Sequence, residues 1–359
     1  MHSLGFEAIG TRWELSTPRP IAPEILARIH AVIDEYDRTF SRFRPDSAVT
    51  ALAAGAGEIE VPPYAGELFE LYHRLGDLTG GAVNPLIGRS LEALGYDARY
   101  TLRPVGEPVA APAFADFVEL DGRVLRSEPG VLIDVGAAGK GQLVDLVAGV
   151  LASADSDADD APLAGGAVVD AGGDMRVVGS LVQPLRVGLE DPADTGRVIG
   201  VVELNGGAGR SDGEWPALAG SAPNRRRWAG GMHHILDAAT GLPIGDRAAM
   251  AAGSFGGTVA TLPAASGLTR PNVSTRSSAR PASVDAGSPR VAGSPMVNAR
   301  PPLATWAMAS SAMIADGATT ALFFADPALV AAELGCAAMS FDADRRAIWS
   351  ANFTVEDLS

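Results

Sequence analysis

Asp316 and Thr320 stand four residues apart in the alanine-rich run from Ala309 to Phe324. On a helix both oxygens project from one face. A carboxylate and a hydroxyl, completed by backbone carbonyls and substrate oxygens, form the kind of set Mg²⁺ takes, since this ion holds few protein ligands and pairs with phosphates. In isolation the same pair is also an ordinary surface or capping arrangement. A second run, Val131 to Asp145, reads as a short apolar strand ending at Asp134, a Gly-rich turn, and a helix that places Leu143, Leu146, Val147 and Val150 at helical spacing. Backbone N–H groups at such a helix start face an anion readily. Lys140 lies in this turn and is the only lysine among 28 basic residues, a compact ammonium where every other cationic side chain is a guanidinium. Gly141 occupies the position where a Walker loop needs a hydroxyl, and the spacing is not GxGxxG. On the loop alone, glycines for tight packing and a surface lysine fit equally well. The third candidate is His233-His234. Adjacent strand residues point to opposite faces, so only one of the two enters a given pocket, and the pair lacks the i, i+4 spacing of a helical zinc site. Taken alone, a satisfied structural histidine is the expected reading.

The elements that must position these groups are legible as periodicities. Ile25, Ile29, Val32, Ile33, Tyr36 and Phe40 recur at three- and four-residue steps and predict a helix over Glu24 to Phe40. Leu68, Leu71, Tyr72, Leu75 and Leu78 predict another, stopped by Gly80-Gly81. Val118 to Arg126 reads as a hairpin turning at Asp121-Gly122, and Ala167 to Val178 as one turning at Ala171 to Asp174. Arg186 to Glu190 and Val198 to Leu204 read as strands, Asp237 to Pro243 as a turn, and Met308 to Ala325 as a helix. Hairpins mixed with helices, without strict β-α-β alternation, indicate an α+β fold.

Composition narrows the function classes. At 359 residues and 47% hydrophobic, the chain can bury a full core. A net charge of −15 repels a phosphate backbone, so no nucleic acid partner is expected. The single cysteine, Cys336, rules out an intramolecular disulfide and a thiolate metal cluster. No apolar stretch reaches the roughly 18 to 20 residues of a membrane span. The N-terminus lacks the pattern of a secretory signal, so the expectation for the chain as written is cytoplasmic, with an extracytoplasmic place left open for a trimmed precursor. Residues 251–300 hold five Arg against the lone acid Asp285, among many Ser, Pro and Gly. They read as a disordered insertion into one domain formed by 1–250 and 301–359. Ala152 to Ala167, with Asp155, Asp157, Asp159 and Asp160, reads as a solvated acidic loop; Asp160 and Gly166 stand where a calcium loop needs Gly and Glu.

Taken in order, the motifs resemble the FAD:protein FMN transferase (ApbE-like) family. The resemblance runs through Ile9-Gly10-Thr11, Phe40 to Ser47, Thr79 to Gly88, Ile133 to Gly141, Val169 to Asp174, His234 to Gly241 and Ala315 to Leu322. It implies a T-fold-related α+β architecture of largely antiparallel sheets and packed helices around a central flavin cleft. It further implies Mg²⁺ held by the backbone oxygen of Ala137, the carboxylate of Asp316 and the hydroxyl of Thr320. Asp134 and Lys140 would contact the flavin nucleotide, Phe43 would pack on an aromatic ring, and Ile9, Ala82, Val83, Asn84 and Ile235 would line the pocket. His234 or Asp134 would serve as the base.

The implied reaction is Mg-dependent transfer of FMN from FAD onto a Ser or Thr hydroxyl of an acceptor protein, with release of AMP. An FAD pyrophosphatase giving FMN and AMP, or a non-enzymatic FAD-binding protein, are the alternatives of the same architecture. Three positions depart from the family's usual residues: Ile9 for Met, Asn84 for Asp and Ala238 for Pro. The sequence specifies neither the acceptor nor the oligomeric state.

Overall fold

Trp13 and Leu15 are fully buried while the alternate residues Arg12 and Glu14 are exposed, the period-two signature of a strand with one covered face. A computed structural model of the chain describes residues 1–156, 165–206, 214–228, 231–245, 260–261 and 300–356. Its main sheet has eight strands: β1 (His2–Ala8), β2 (Thr11–Thr17), β3 (Ala167–Asp170), β4 (Met175–Val178), β5 (Ala217–Ser221), β6 (Ala304–Ala309), β7 (Ala337–Phe341) and β8 (Ala347–Trp349). Within the sheet each strand lies beside the next in chain order, and every pairing is antiparallel.

Helices cover one face. α1 (Pro23–Phe40), α2 (Ala65–Thr79) and α3 (Gly139–Ser156) fall between β2 and β3, and α4 (Ala312–Ala321) and α5 (Pro327–Leu334) between β6 and β7. α3 packs on β3 and β4, α4 on β5 and β6, and the two helices pack on each other, with α1 against α3 and α2 against α4. The strands are sorted by size for this. Ala217, Ala219, Ala307 and Ala309 face the helices, while Leu218, Trp306 and Met308 face the other side. Alanines at 312, 315, 318 and 321 meet that small-residue surface, so α4 lies close on the sheet. The opposite face is covered by a hairpin, Leu185–Asp191 with Asp194–Leu204, through Leu189, Ile199, Val202 and Leu204.

The two predicted helices and the hairpins form where periodicity places them, and Gly80 ends α2 in the left-handed region. Three expectations are corrected. Met308 and Ala309 belong to β6 and not to the following helix; alternation of small and large residues over Ala304 to Ala309 outweighs alanine's helix preference. α4 begins only after Ser311, whose hydroxyl accepts from Ile314 N at 3.2 Å, while the Asp145 carboxylate takes the Ala312 and Met313 N–H groups at 2.9 Å each. Val131 to Asp134 joins no sheet among the described residues; Asp134 N donates to Pro85 O at 2.7 Å, and Leu132 O accepts from Gly88 N at 3.2 Å. An apolar run buried on all sides looks like a strand from its composition alone. Ala152 to Ser156 is the end of α3 and not the start of a loop, and residues 157–164 of the expected acidic loop lie outside the described residues. The expected insertion also lies outside them, except for Arg300 and for Ala260–Thr261, which pairs in parallel with Val109–Ala110. Among the described residues no helix is long and apolar enough to cross a membrane.

α3 and α4 cross at Gly141, where an added Cβ would collide with the Ala312 carbonyl and lie 2.8 Å from Asp316 Cβ. Both partners belong to packed helices and cannot step aside, so Gly141→Ala is expected to lower stability by about 1–3 kcal/mol. Urea denaturation followed by circular dichroism measures it, and an unchanged midpoint would show that the crossing has slack.

Candidate active site

Residues of α1, α2, α4, the start of α3 and several loops line a cavity of about 510 Å³. Ala137, Asp316 and Thr320 line it together, although more than 170 residues of chain separate the first from the other two. Asp134, Lys140 and His234 line the same space, as do Phe43, Ile9, Ala82, Val83, Asn84 and Ile235. Every site residue singled out in the sequence is therefore in one cavity.

At the α3–α4 crossing, Gly141 N donates to Asp316 Oδ2 at 3.0 Å. The helix N-terminus that the sequence offers to an external anion thus holds a carboxylate of the protein itself. Thr320 Oγ1 donates to the Ala137 carbonyl at 3.4 Å, and Ala137 N donates to the Tyr72 hydroxyl at 3.2 Å, which fixes the turn before α3. Lys140 Nζ lies 3.7 Å from Asp316 Oδ1 and forms an ion pair with Asp174. Asp316 and Asp174 are 4% and 1% exposed. Burial first, then the Asp174 charge, push the Asp316 carboxyl up to about 7, against the pull of Lys140 and of the Gly141 amide. For Lys140, burial works against the charge but the Asp174 and Asp316 carboxylates outweigh it, so its pKa is raised.

Two buried carboxylates share one ammonium, so the cluster has room for further positive charge. A carbonyl, a hydroxyl and a carboxylate converge there, hard oxygens suited to Mg²⁺. Among the described residues no group of three or more His, Cys, Asp and Glu side chains is arranged to hold a metal, so a cation at this place would rely on one carboxylate and on substrate oxygens. Asp174 is a site residue that the sequence reading passes over, although it ends the quoted Val169–Asp174 motif after the Gly172-Gly173 turn. Gly172, at φ 68°, leaves no room for a Cβ against Thr11 Oγ1.

Asp134 is committed on both oxygens. Oδ1 accepts from Gly136 N at 2.7 Å and Oδ2 pairs with Arg42 Nε. Arg42 is a second residue the sequence reading passed over, although it precedes Phe43 in the quoted motif. Phe43 stacks on Tyr100 with ring centres 5.3 Å apart and a 6° angle between planes, and meets Tyr96 edge-on at 5.4 Å. Asn84 also spends both ends of its amide within the protein: Oδ1 accepts from Leu86 N and Nδ2 donates to Pro112 O, each at 2.9 Å. Aspartate could not make the second bond, which gives a structural reason for asparagine here. Ile9, with Gly10, makes the two-residue turn between β1 and β2, both at positive φ, 46° and 74°. For a β-branched residue that is strained, and it sets Ile9 in the cavity wall.

The adjacent histidines separate as their alternation requires. His233 is tied to Ile244 O at 2.8 Å and accepts from Ile235 N at 3.3 Å, whereas His234 lines the cavity. His234 Nδ1 is buried without a partner among the described residues. Burial, followed by the charges of Arg226, His233 and Lys140, pushes its pKa down to about 3, with a hydrogen bond to the Arg226 backbone opposing them. The ring is therefore neutral at pH 7.

Solved structures share this fold. The crystal structure of the ApbE protein from Thermotoga maritima superposes with a TM-score of 0.66 at 21% identity, covering 98% of this chain and 97% of that one. The flavin transferase ApbE from Vibrio cholerae gives 0.65 at 18% identity over 98% and 97%, and the flavinyl transferase ApbE from Pseudomonas stutzeri gives 0.64 at 18% over 98% and 95%. In sequence, the FAD:protein FMN transferase of Rhodobacter capsulatus is 29% identical over 256 residues, which are 67% of this chain and 46% of that protein. The chain thus spans about half the length of that curated relative. The α+β sheet-and-helix architecture defines the class of fold, and the sequence pattern of the ApbE family matches residues 9–252. The chain belongs to the ApbE family.

In the unfolded chain an imidazole takes up a proton below about 6.5, whereas folded His234 stays neutral down to about 3. Its contribution is fully present above 6.5 and is lost as pH falls through that window. His234→Asn is expected to flatten the fall in melting temperature between pH 6.5 and 4.5, and parallel curves for the two proteins would show that the ring is not desolvated.

Proposed function

We propose that this chain transfers FMN from FAD to a Ser or Thr hydroxyl of an acceptor protein and releases AMP, with Mg²⁺ required. The observation that carries this reading is the buried Asp316 carboxylate held beside the Thr320 hydroxyl and the Ala137 carbonyl in a cavity whose wall also carries aromatic rings. Family membership and the name of the Rhodobacter capsulatus relative support it.

The acceptor hydroxyl oxygen bonds to the FMN phosphorus as the bond from that phosphorus to the AMP oxygen breaks, so placement and charge neutralisation dominate. When held by Asp316, Thr320 and the Ala137 carbonyl, Mg²⁺ supplies neutralisation at the diphosphate. Lys140, fixed by Asp174, adds a second positive charge beside it. Asp134 is engaged by Arg42 and by the Gly136 amide, whereas His234 lines the cavity as a neutral imidazole, so the base in this reading is His234. In the folded chain that imidazole is weakly basic. A bound diphosphate opposes Arg226 and Lys140, two of the cations that depress it, and raises its proton affinity toward the working pH. The proton of the acceptor hydroxyl then passes to the His234 imidazole.

The test incubates the protein with FAD, Mg²⁺ and a protein extract, then searches Ser and Thr peptides by mass spectrometry for attached FMN. Modified peptides with AMP in equal amount are expected. Free FMN and AMP without modified peptides would identify a hydrolase, and FAD retained intact would identify a binding protein. Asp316→Ala should reduce turnover about 100-fold or more while the circular dichroism spectrum is kept, and chelation of the metal should do the same to the unmodified protein; undiminished turnover in both would remove the metal assignment.

A further inference from the structure

Tyr100 lines the cavity and is 48% exposed, and the reaction derived above gives it no task. Its backbone is left-handed, at φ 50°, as is that of Leu102 at 51°. Neither residue is glycine, so both conformations are strained and persist only because the surrounding chain imposes them. Asp97 does much of this. Its Oδ1 accepts from Arg99 N at 2.9 Å and from Thr101 N at 3.1 Å, and its Oδ2 accepts from Thr101 Oγ1 at 2.8 Å. Its carbonyl accepts from Tyr100 N at 3.0 Å, and Leu102 N closes the loop on Gly95 O at 2.8 Å. A loop pinned in this way presents one aromatic side chain in a preset position.

That position is in the cavity wall. The Tyr100 ring lies on that of Phe43, with centres 5.3 Å apart and 6° between planes, and meets Tyr96 edge-on at 5.6 Å. Its hydroxyl oxygen stands 3.6 Å from where a Cβ on Gly10 would be. Phe43, Tyr96 and Gly10 all line the same cavity. A third ring has no room between Tyr100 and Phe43, since two contacts of about 3.5 Å would hold their planes about 7 Å apart. Phe43 covers one face of the Tyr100 ring, and about half of the residue stays exposed. A planar ring entering the cavity therefore extends the stack on the outer face of Tyr100. Strain accepted in advance to fix that ring lowers the ordering cost when a ligand binds.

We propose that Tyr100 is a ring-stacking residue of the binding site, its outer face packing on a planar heteroaromatic ring of the bound nucleotide. The proposal rests on the FAD reading above. FAD carries two such rings, isoalloxazine and adenine, and the stacking chemistry is the same for either.

Tyr100→Ala removes the ring, and Tyr100→Phe keeps it without the hydroxyl. Dissociation constants for FAD, FMN, ADP and pyrophosphate, all with Mg²⁺, are measured by calorimetry on both variants and the unmodified protein, together with the melting temperature of each without ligand. FAD is expected to bind the alanine variant about 10- to 100-fold more weakly and the phenylalanine variant within about threefold of the unmodified protein. The loss should recur with FMN or with ADP, whichever carries the stacked ring, and not with pyrophosphate. Unchanged FAD affinity in a folded alanine variant overturns the proposal. Tighter binding overturns it too, because the tyrosine would then compete with the ligand, and so does a loss shared equally by pyrophosphate or by the phenylalanine variant. Should the alanine variant fold poorly, a crystal structure of the unmodified protein with FAD decides: a ligand ring packed face to face on Tyr100 supports the assignment, and a Tyr100 ring in contact with no ligand ring refutes it. An unmodified protein that binds neither FAD, FMN nor ADP brings down the FAD reading and this proposal with it, whereas intact binding that the alanine variant does not weaken removes Tyr100 alone.

Discussion

At Gly141 two helices cross so closely that the amide of one and the carboxylate of the other share a 3.0 Å bond. Asp316 can be buried there only because that amide, the partial positive charge of the α3 N-terminus and the nearby Lys140 ammonium share its charge. Thr320, one turn further along α4, is brought over the Ala137 carbonyl by the same crossing. The alanines on α4, β5 and β6 are the remote part of this arrangement, since they let the helix lie low enough on the sheet to reach α3.

The rest of the cavity is held by pairings that leave few groups free. Asp134 serves Arg42 and the Gly136 amide, Asn84 serves Leu86 and Pro112, and Asp174 serves Lys140. In a chain carrying −15 overall, arginines 42 and 226 and Lys140 still gather around one space. The local sign of the field there is set by side-chain placement, so the net charge that argues against nucleic acid does not argue against a single diphosphate.

The legible parts of the sequence were those governed by short spacing. α1 and α2 follow from apolar steps of three and four, Gly80 marks a helix end, and the glycine turns mark the hairpins. That Ile9, Phe43, Asp134, Lys140, His234 and Asp316 meet in one cavity was legible only as an ordered set of motifs, because no local rule links residues so far apart. Arg42 and Asp174 escaped for the same reason: each matters through a partner, 92 residues away in one case and 34 in the other. Met308 and Ala309, the end of β6, read as helix because alanine's preference is a weak prior that sheet packing overrides. The run before Asp134 was read as a strand because burial on every side erases the alternation that tells a sheet strand from other extended chain.

The first hairpin joins the sheet only through β2 against β3, in the register Glu14 to Asp170, Leu15 to Val169 and Ser16 to Val168. All the chain from Thr17 to Ala167, with three of the long helices, lies inside the loop that this seam closes. Doubling the length of such a loop adds only about 0.6 kcal/mol to the equilibrium cost, but a contact so distant in sequence forms slowly. The β3–β4 hairpin closes over only a few residues, so within the main sheet this seam is the pairing that spans the longest stretch of chain. Since the turn bearing Ile9 is part of the first hairpin, and Trp13 and Leu15 of its second strand belong to the main core, pocket wall and core depend on the same distant seam.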